Sequence, residues 1–271
     1  MLFAAAALGI FSTAALCAAI ALTRKKAAGV EAADLGAAGT AAFAAVFLSM
    51  FFAGASLSVF IKSAGVGLAG TYALNAVFQL AFIAAALAFA RKFSVRVGAS
   101  FGFAEIKIGF AYFIASLSAL ACGGCVSIVC REVFGVNIEM QKAVEMFAAI
   151  DSAALKVFAF FAVAVFAPVA EELFFRGLLY PCAKGWFERA FSEMRGSPEL
   201  DALRRKAATA AAAVAVSAFF SAIHASVFAA LPIFMVGIVL TCCYERSGSI
   251  FAPMITHSLF NILNISVILC S

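Results

Sequence analysis

Apolar runs long enough to cross a membrane recur along this chain and constrain its fold more than any other feature. A transmembrane helix needs about 20 predominantly apolar residues, and short polar segments separate eight runs of about that length. The runs cover approximately residues 2–22, 37–61, 68–90, 108–130, 152–180, 207–228, 230–244 and 249–269. The sequence therefore predicts an all-α protein, a polytopic transmembrane helix bundle of about eight spans.

The composition agrees with a single membrane domain. Hydrophobic residues make up 66% of the chain, charged residues only 12%, and the mean hydropathy is +1.10, which is far outside the range of soluble domains. We predict one domain over residues 1–271, in which residues 1–150 hold four spans without a motif and residues 151–271 hold the polar motifs. The bilayer is its expected surroundings, and no basic stripe indicates nucleic acid as a partner.

The distribution of Lys and Arg predicts an orientation. Cytoplasmic loops carry an excess of these residues, and one alternation of loops puts 14 basic residues inside and four outside. The four outside are Lys62, Arg131, Lys142 and Lys156. We therefore predict a multi-pass protein of the plasma membrane with both termini outside. The longest loop, about 182–206, is expected to contain an interfacial amphipathic helix.

A pair of carboxylates and a guanidinium interrupt the fifth apolar run, in Glu171-Glu172-Leu-Phe-Phe-Arg176. Ionisable groups at membrane depth are costly and are therefore functional candidates. Glu172 and Arg176 are four residues apart on a helix and can form an ion pair. Glu171 is rotated by about 100° from Glu172 and is left without a local partner, as suits a general base. The alternative is an ion-pair cluster that only fixes helix packing.

The only two histidines of the chain lie in the last three apolar runs. His224 follows Phe220 by four residues, so the two rings share a helix face. His257 and Asn261 have the same spacing, and two convergent donors are what a developing oxyanion requires. Taken separately, His224 could be a packing residue and Asn261 could form a helix–helix hydrogen bond.

Together the three motifs resemble those of the CPBP family of intramembrane proteases. That family includes the type II CAAX prenyl endopeptidases and Abi-like bacterial proteins linked to bacteriocin processing and immunity. The resemblance covers about residues 155–269, so residues 151–271 are expected to form a CPBP-like catalytic core. The motifs are Glu171-Glu172-x-x-x-Arg176, Phe220-x-x-x-His224 and His257-x-x-x-Asn261.

The resemblance implies a role for each side chain. Glu171 would activate the attacking water with the help of His224. His257 and Asn261 would stabilise the tetrahedral oxyanion.

The supporting residues and the cofactor are also implied. Arg176 with Glu172 would hold the catalytic carboxylate in place. Glutamate-dependent catalysis without a tightly bound metal is one form of the mechanism. The other is a zinc enzyme, in which Glu171, His224 and His257 would form an open three-ligand site.

The expected activity is that of a glutamic or metallo-endopeptidase that hydrolyses a peptide bond near the membrane surface. Its substrate would be a peptide or a prenylated protein, in CAAX-type processing or in bacteriocin-related maturation or immunity. A non-hydrolytic binding or immunity scaffold and a proton-coupled transporter are the alternatives, and a bis-histidine haem protein is a weaker one. The chain contains no His-Glu-x-x-His, which argues against a zincin-type protease.

Cys122-Gly-Gly-Cys125 has the spacing of a redox motif. It lies within an apolar run and lacks a second cysteine pair or a nearby histidine. We interpret these and most of the other cysteines as small packing residues.

Overall fold

The helical prediction is confirmed. The computed structural model describes residues 29–135, 146–192, 198–224 and 229–270, which form seven long helices and no strand. The helices are α1 (Gly36–Ser63), α2 (Leu68–Lys92), α3 (Phe103–Phe134), α4 (Ala153–Ser192), α5 (Pro198–Ile223), α6 (Ala230–Ser247) and α7 (Phe251–Cys270).

The helices have the lengths and composition of membrane spans. α1 to α6 are each long and apolar enough to cross a bilayer, and α7 contains a shorter apolar stretch, Phe251–Val267. Seven of the eight predicted runs coincide with these helices, and the run at 2–22 lies outside the described residues. The chain is a multi-pass membrane protein.

Helix α4 is longer than the predicted run at 152–180. It continues to Ser192, and α5 begins at Pro198, so most of the expected loop at 182–206 is helical. The reason lies in tertiary packing, because Lys184 on this extension is buried and paired with Glu245. Glu171 consequently lies near the middle of a 40-residue helix.

The middle of α4 departs from regular α-helical geometry. Two π-helical segments, Ala162–Phe166 and Leu173–Leu179, flank a short α-helical stretch, Ala167–Glu172. Single-turn π segments add a residue to a helix and occur frequently at functional sites. Pro168, which cannot donate a backbone hydrogen bond, lies at the start of this stretch and is fully buried. Both carboxylates therefore lie between two irregular turns.

Helix α3 packs along α6 and α7, although it belongs to the part of the chain without a motif. The contact is close at Gly109, where an added Cβ would lie 2.9 Å from the carbonyl oxygen of Ala252. Thr256 Oγ1 donates to the Gly109 carbonyl at 2.8 Å. The helix that carries His257 is thus fixed by a helix of the N-terminal half.

Aromatic rings join α1 and α2 to the second π segment of α4. The ring of Phe174 stacks on Phe43 and Phe47, with centroid distances of 6.0 and 5.6 Å, and lies 5.2 Å from Phe82. Aromatic pairs at these distances add to the stabilisation from burial. The segment that follows Glu172 is therefore held by α1 and α2 as well as by its own helix.

Residues 29–35, which we call the N-terminal strap, precede α1 and lie against α4 and α6. Lys184 Nζ donates to the Val30 carbonyl and to Glu245 Oε1, both at 2.7 Å. Glu245 also accepts from the Val30 N–H at 3.1 Å and from the Tyr180 hydroxyl at 2.6 Å. A buried ion pair with further hydrogen bonds to both partners is the arrangement that offsets its desolvation.

The cysteines that the structure describes are free thiols. Cys182 and Cys243 are buried, whereas Cys122 and Cys125 are half-buried on α3. No third His, Cys, Asp or Glu side chain joins the latter two as a metal ligand within the described residues.

Candidate active site

The three motifs meet in one part of the bundle. Glu171, Glu172 and Arg176 come from the middle of α4, His257 from the second turn of α7, and Phe220 from the last turn of α5. Helix α6 contributes a backbone carbonyl. Four helices thus surround one polar cluster in an apolar interior.

The centre of the cluster is the predicted ion pair. Arg176 Nη1 donates to Glu172 Oε1 at 2.9 Å, and neither side chain is exposed. Arg176 Nη2 donates to the Gly237 carbonyl at 3.1 Å, and the guanidinium lies 4.7 Å from the centre of the Phe220 ring. A buried charge is tolerated only when it is paired and hydrogen-bonded, and Arg176 meets both conditions.

Gly237 lies where α5 and α6 pack closely together, and it has no side chain. An added Cβ would lie 2.9 Å from the Cβ of Ser217 on α5, so only glycine lets α5 and α6 come this close. Sequence reasoning missed Gly237, since small residues are frequent in membrane helices and nothing near this glycine in the chain marks it as a partner of Arg176.

His257 lies between the two carboxylates. Its Nδ1 is 2.8 Å from Glu172 Oε1, and its Nε2 is 3.8 Å from Glu171 Oε2. A carboxylate can only accept, so Nδ1 carries the hydrogen of this bond. Glu172 therefore orients the imidazole, as a carboxylate orients the histidine of other catalytic sites. The pair of Glu172 and Arg176 was expected to hold the catalytic carboxylate in place. In the structure, Glu172 also binds His257 directly.

The two carboxylates differ in accessibility. The side chain of Glu171 is 31% exposed, whereas that of Glu172 is fully buried. Oε2 of each carboxylate is buried and has no hydrogen-bond partner among the described residues, so the exposed part of the Glu171 side chain is what separates the two. Glu171 is thus the carboxylate that a substrate or a water molecule can reach.

His224 lies at the edge of the cluster. It directly follows α5, is exposed, and its Nδ1 is 2.7 Å from the Phe220 carbonyl oxygen. The Phe220 ring makes edge-to-face contacts with His224 at 4.7 Å and with His257 at 5.9 Å between centroids. The predicted contact between Phe220 and His224 is present, and one aromatic ring touches both imidazoles.

Asn261 makes the helix–helix hydrogen bond that was the alternative to an oxyanion role. Its Nδ2 donates to the Val163 carbonyl on α4 at 2.9 Å. An amide group has two hydrogens, so one of them is committed to this backbone bond. The acceptor was missed because nothing in the sequence distinguishes Val163 from its neighbours.

The described residues do not form a metal site as arranged. No group of three His, Cys, Asp or Glu side chains in this part of the chain could hold a metal ion. Glu171 and His257 are neighbours, but His224 does not complete a ligand set with them. The zinc site therefore stays a prediction from the resemblance.

Comparison with known families identifies the segment that carries this cluster. Residues 153–263 match the model of the family described as type II CAAX prenyl endopeptidase Rce1-like. The match contains Glu171, His224, His257 and Asn261 and begins at the first residue of α4. No curated protein and no solved structure matches the chain.

Proposed function

We propose that this membrane protein is a protease that hydrolyses a peptide bond with water activated by Glu171, because residues 153–263 match the model of the type II CAAX prenyl endopeptidase Rce1-like family. The observation that carries the proposal is the difference between the carboxylates. Glu172 is fully buried and bonded to Arg176 and His257, whereas the side chain of Glu171 is 31% exposed and is not paired with Arg176.

The charges of the cluster support this division of roles. The two carboxylates face opposite nitrogens of the His257 imidazole, and the Arg176 guanidinium pairs with Glu172. An imidazole that carries hydrogens on both nitrogens would donate from Nδ1 to Glu172 and would direct the Nε2 hydrogen toward the Glu171 side. This hydrogen can be donated to an oxygen that becomes negative during the reaction.

The reaction then follows from these positions. Glu171 takes a proton from water while the water oxygen bonds to the substrate carbonyl carbon, and the carbonyl oxygen becomes an oxyanion. His257 donates to that oxyanion, and the resemblance offers the second Asn261 hydrogen as an alternative donor. The C–N bond then breaks, and Glu171 returns the proton to the leaving amine. His224, exposed at the end of α5, would assist by orienting the water.

The proposal also covers the substrate class, the membrane in which the protein lies and the cofactor. A prenylated protein is the substrate class that the family description indicates, and bacteriocin-related maturation or immunity is the second candidate. The plasma membrane is the proposed location. A zinc ion remains an alternative cofactor.

The test compares protein termini in membranes that contain equal amounts of wild type or Glu171→Gln. Gln keeps the size of the side chain but cannot take a proton from water, so we expect termini that occur only with the wild type. Glu132→Gln, which changes an exposed carboxylate at the end of α3, is the matched control and should give the wild-type termini. Identical termini from folded wild type and Glu171→Gln would refute hydrolysis and favour a binding scaffold or a proton-coupled transporter.

A further inference from the structure

The hydrogen bond from Asn261 to Val163 has a specific cause in the backbone of α4. In the first π segment the Ala167 N–H donates to the Ala162 carbonyl, five residues earlier. The next bond of this pattern would run from residue 168 to Val163. Residue 168 is proline and has no N–H, so the backbone cannot supply that donor.

An unsatisfied carbonyl is costly at this position. In the hydrocarbon region no water is present to replace a missing backbone donor, and side chains of neighbouring helices satisfy the groups that proline releases. Asn261 Nδ2 lies 2.9 Å from the Val163 oxygen and supplies a donor there. The side chain of α7 thus replaces the N–H that α4 lacks.

The hydrogen bond from Asn261 to Val163 lies close in the chain to the proposed catalytic carboxylate. Pro168 precedes Glu171 by three residues, which is less than one helical turn. Helix α7 holds α4 at two points on either side of Pro168: Asn261 binds Val163, and His257 binds Glu172. Asn261 and His257 are four residues apart on one face of α7, so the two bonds fix the relative position of both helices.

We propose that Asn261 is a positioning residue that substitutes for the missing Pro168 N–H and so places Glu171 and Glu172 against His257. This inference rests on the proposed function for its catalytic consequence. It also gives Asn261 a role that does not require contact with the substrate.

The experiment uses the full chain and three variants: Asn261→Ala, Pro168→Ala and the double variant. Asn261→Ala should lower the unfolding temperature in detergent and reduce the yield of wild-type-specific termini about tenfold or more, as expected for a misplaced catalytic group. Pro168→Ala restores an N–H at residue 168. The double variant should therefore regain most of the unfolding temperature and most of the wild-type-specific termini. Asn264→Ala, on the same helix, is the matched control and should change neither.

Rescue by a distant backbone N–H is a result that neither a general packing role nor direct oxyanion binding predicts. If the double variant recovers the unfolding temperature but not cleavage, Asn261 acts on the reacting atoms and the proposal is wrong. If it recovers neither, the link between Asn261 and Pro168 is wrong. Should wild type and Glu171→Gln give identical termini, the protease proposal fails, while the unfolding temperatures still decide the backbone replacement.

Discussion

At the scale of single residues, Glu172 is the most heavily used group of the cluster. Its Oε1 is 2.9 Å from Arg176 Nη1 and 2.8 Å from His257 Nδ1. Arg176 loses its counter-charge and His257 its acceptor if Glu172 is removed, and Glu172 loses its guanidinium partner if Arg176 is removed. Because breaking one side of a buried pair leaves an uncompensated charge, these residues support the fold as well as the site.

Replacing Arg176 with Ala should therefore destabilise the protein by about 3–5 kcal/mol, the usual cost of breaking a buried pair. The measurement is the free energy of unfolding in detergent, obtained by denaturant titration. Arg131→Ala removes an exposed pair with Glu132 and is the matched control, for which we expect no measurable change. An Arg176→Ala protein as stable as the Arg131→Ala protein would contradict a structural role for the buried pair.

At the scale of the elements, α4 combines a membrane span, two π segments and a polar end that is fixed to the N-terminal strap. Lys184 and Glu245 connect this end to α6 and to the backbone of Val30. Polar residues that were expected in a loop are thus structural parts of the helix end. The strap in turn depends on them, since the Val30 N–H and carbonyl both bind these side chains.

Glu245→Ala should release the strap, because it removes the acceptor of the Val30 N–H and leaves the Lys184 charge unpaired. Hydrogen–deuterium exchange of the Val30 amide should become faster, while exchange in the middle of α7 should not change. Glu31→Ala, which breaks only an exposed pair with Arg96, serves as the control. Equal protection of Val30 in all three proteins would show that Glu245 does not hold the strap.

At the scale of the whole molecule, the described contacts gather the predicted inside loops at one end of the bundle. The strap region is joined to Arg96, Lys184 and Arg189 through Glu31, Glu245 and Asp34. If successive helices cross the bundle in opposite directions, every second loop lies at the same end. The contacts among these loops therefore agree with the predicted alternation. Which end faces the cytoplasm stays a prediction, as does the division at residues 150 and 151.

Orientation can be tested with an impermeant thiol reagent on sealed vesicles of known sidedness, using a variant without native cysteines. We expect Lys62→Cys to react from outside, and Arg96→Cys and Lys206→Cys only after the vesicles are opened, because the basic loops stay inside. The reverse pattern would invert the orientation. Labelling of Lys62→Cys and Arg96→Cys from the same side would contradict α2 as a span.

Hydropathy was enough to predict the fold class and the positions of seven helices, and helical spacing predicted contacts within two of the motifs. Both are local properties of the chain, so the ion pair of Glu172 with Arg176 and the contact of Phe220 with His224 could be predicted from them. Charges in an apolar chain are also few, which limited the choice of site residues. The family match at residues 153–263 agrees with the motifs that this reasoning selected.

What those residues touch could be learned only from the packing of the helices. The partners of Arg176 and Asn261 include the carbonyls of Gly237 and Val163, and every residue has a carbonyl, so no pattern of side chains marks these two. The accessibility of Glu171 and the position of His257 between two carboxylates depend on how α4, α5 and α7 pack. Such contacts join residues that are far apart in the chain, and they arise from packing geometry rather than from local propensity.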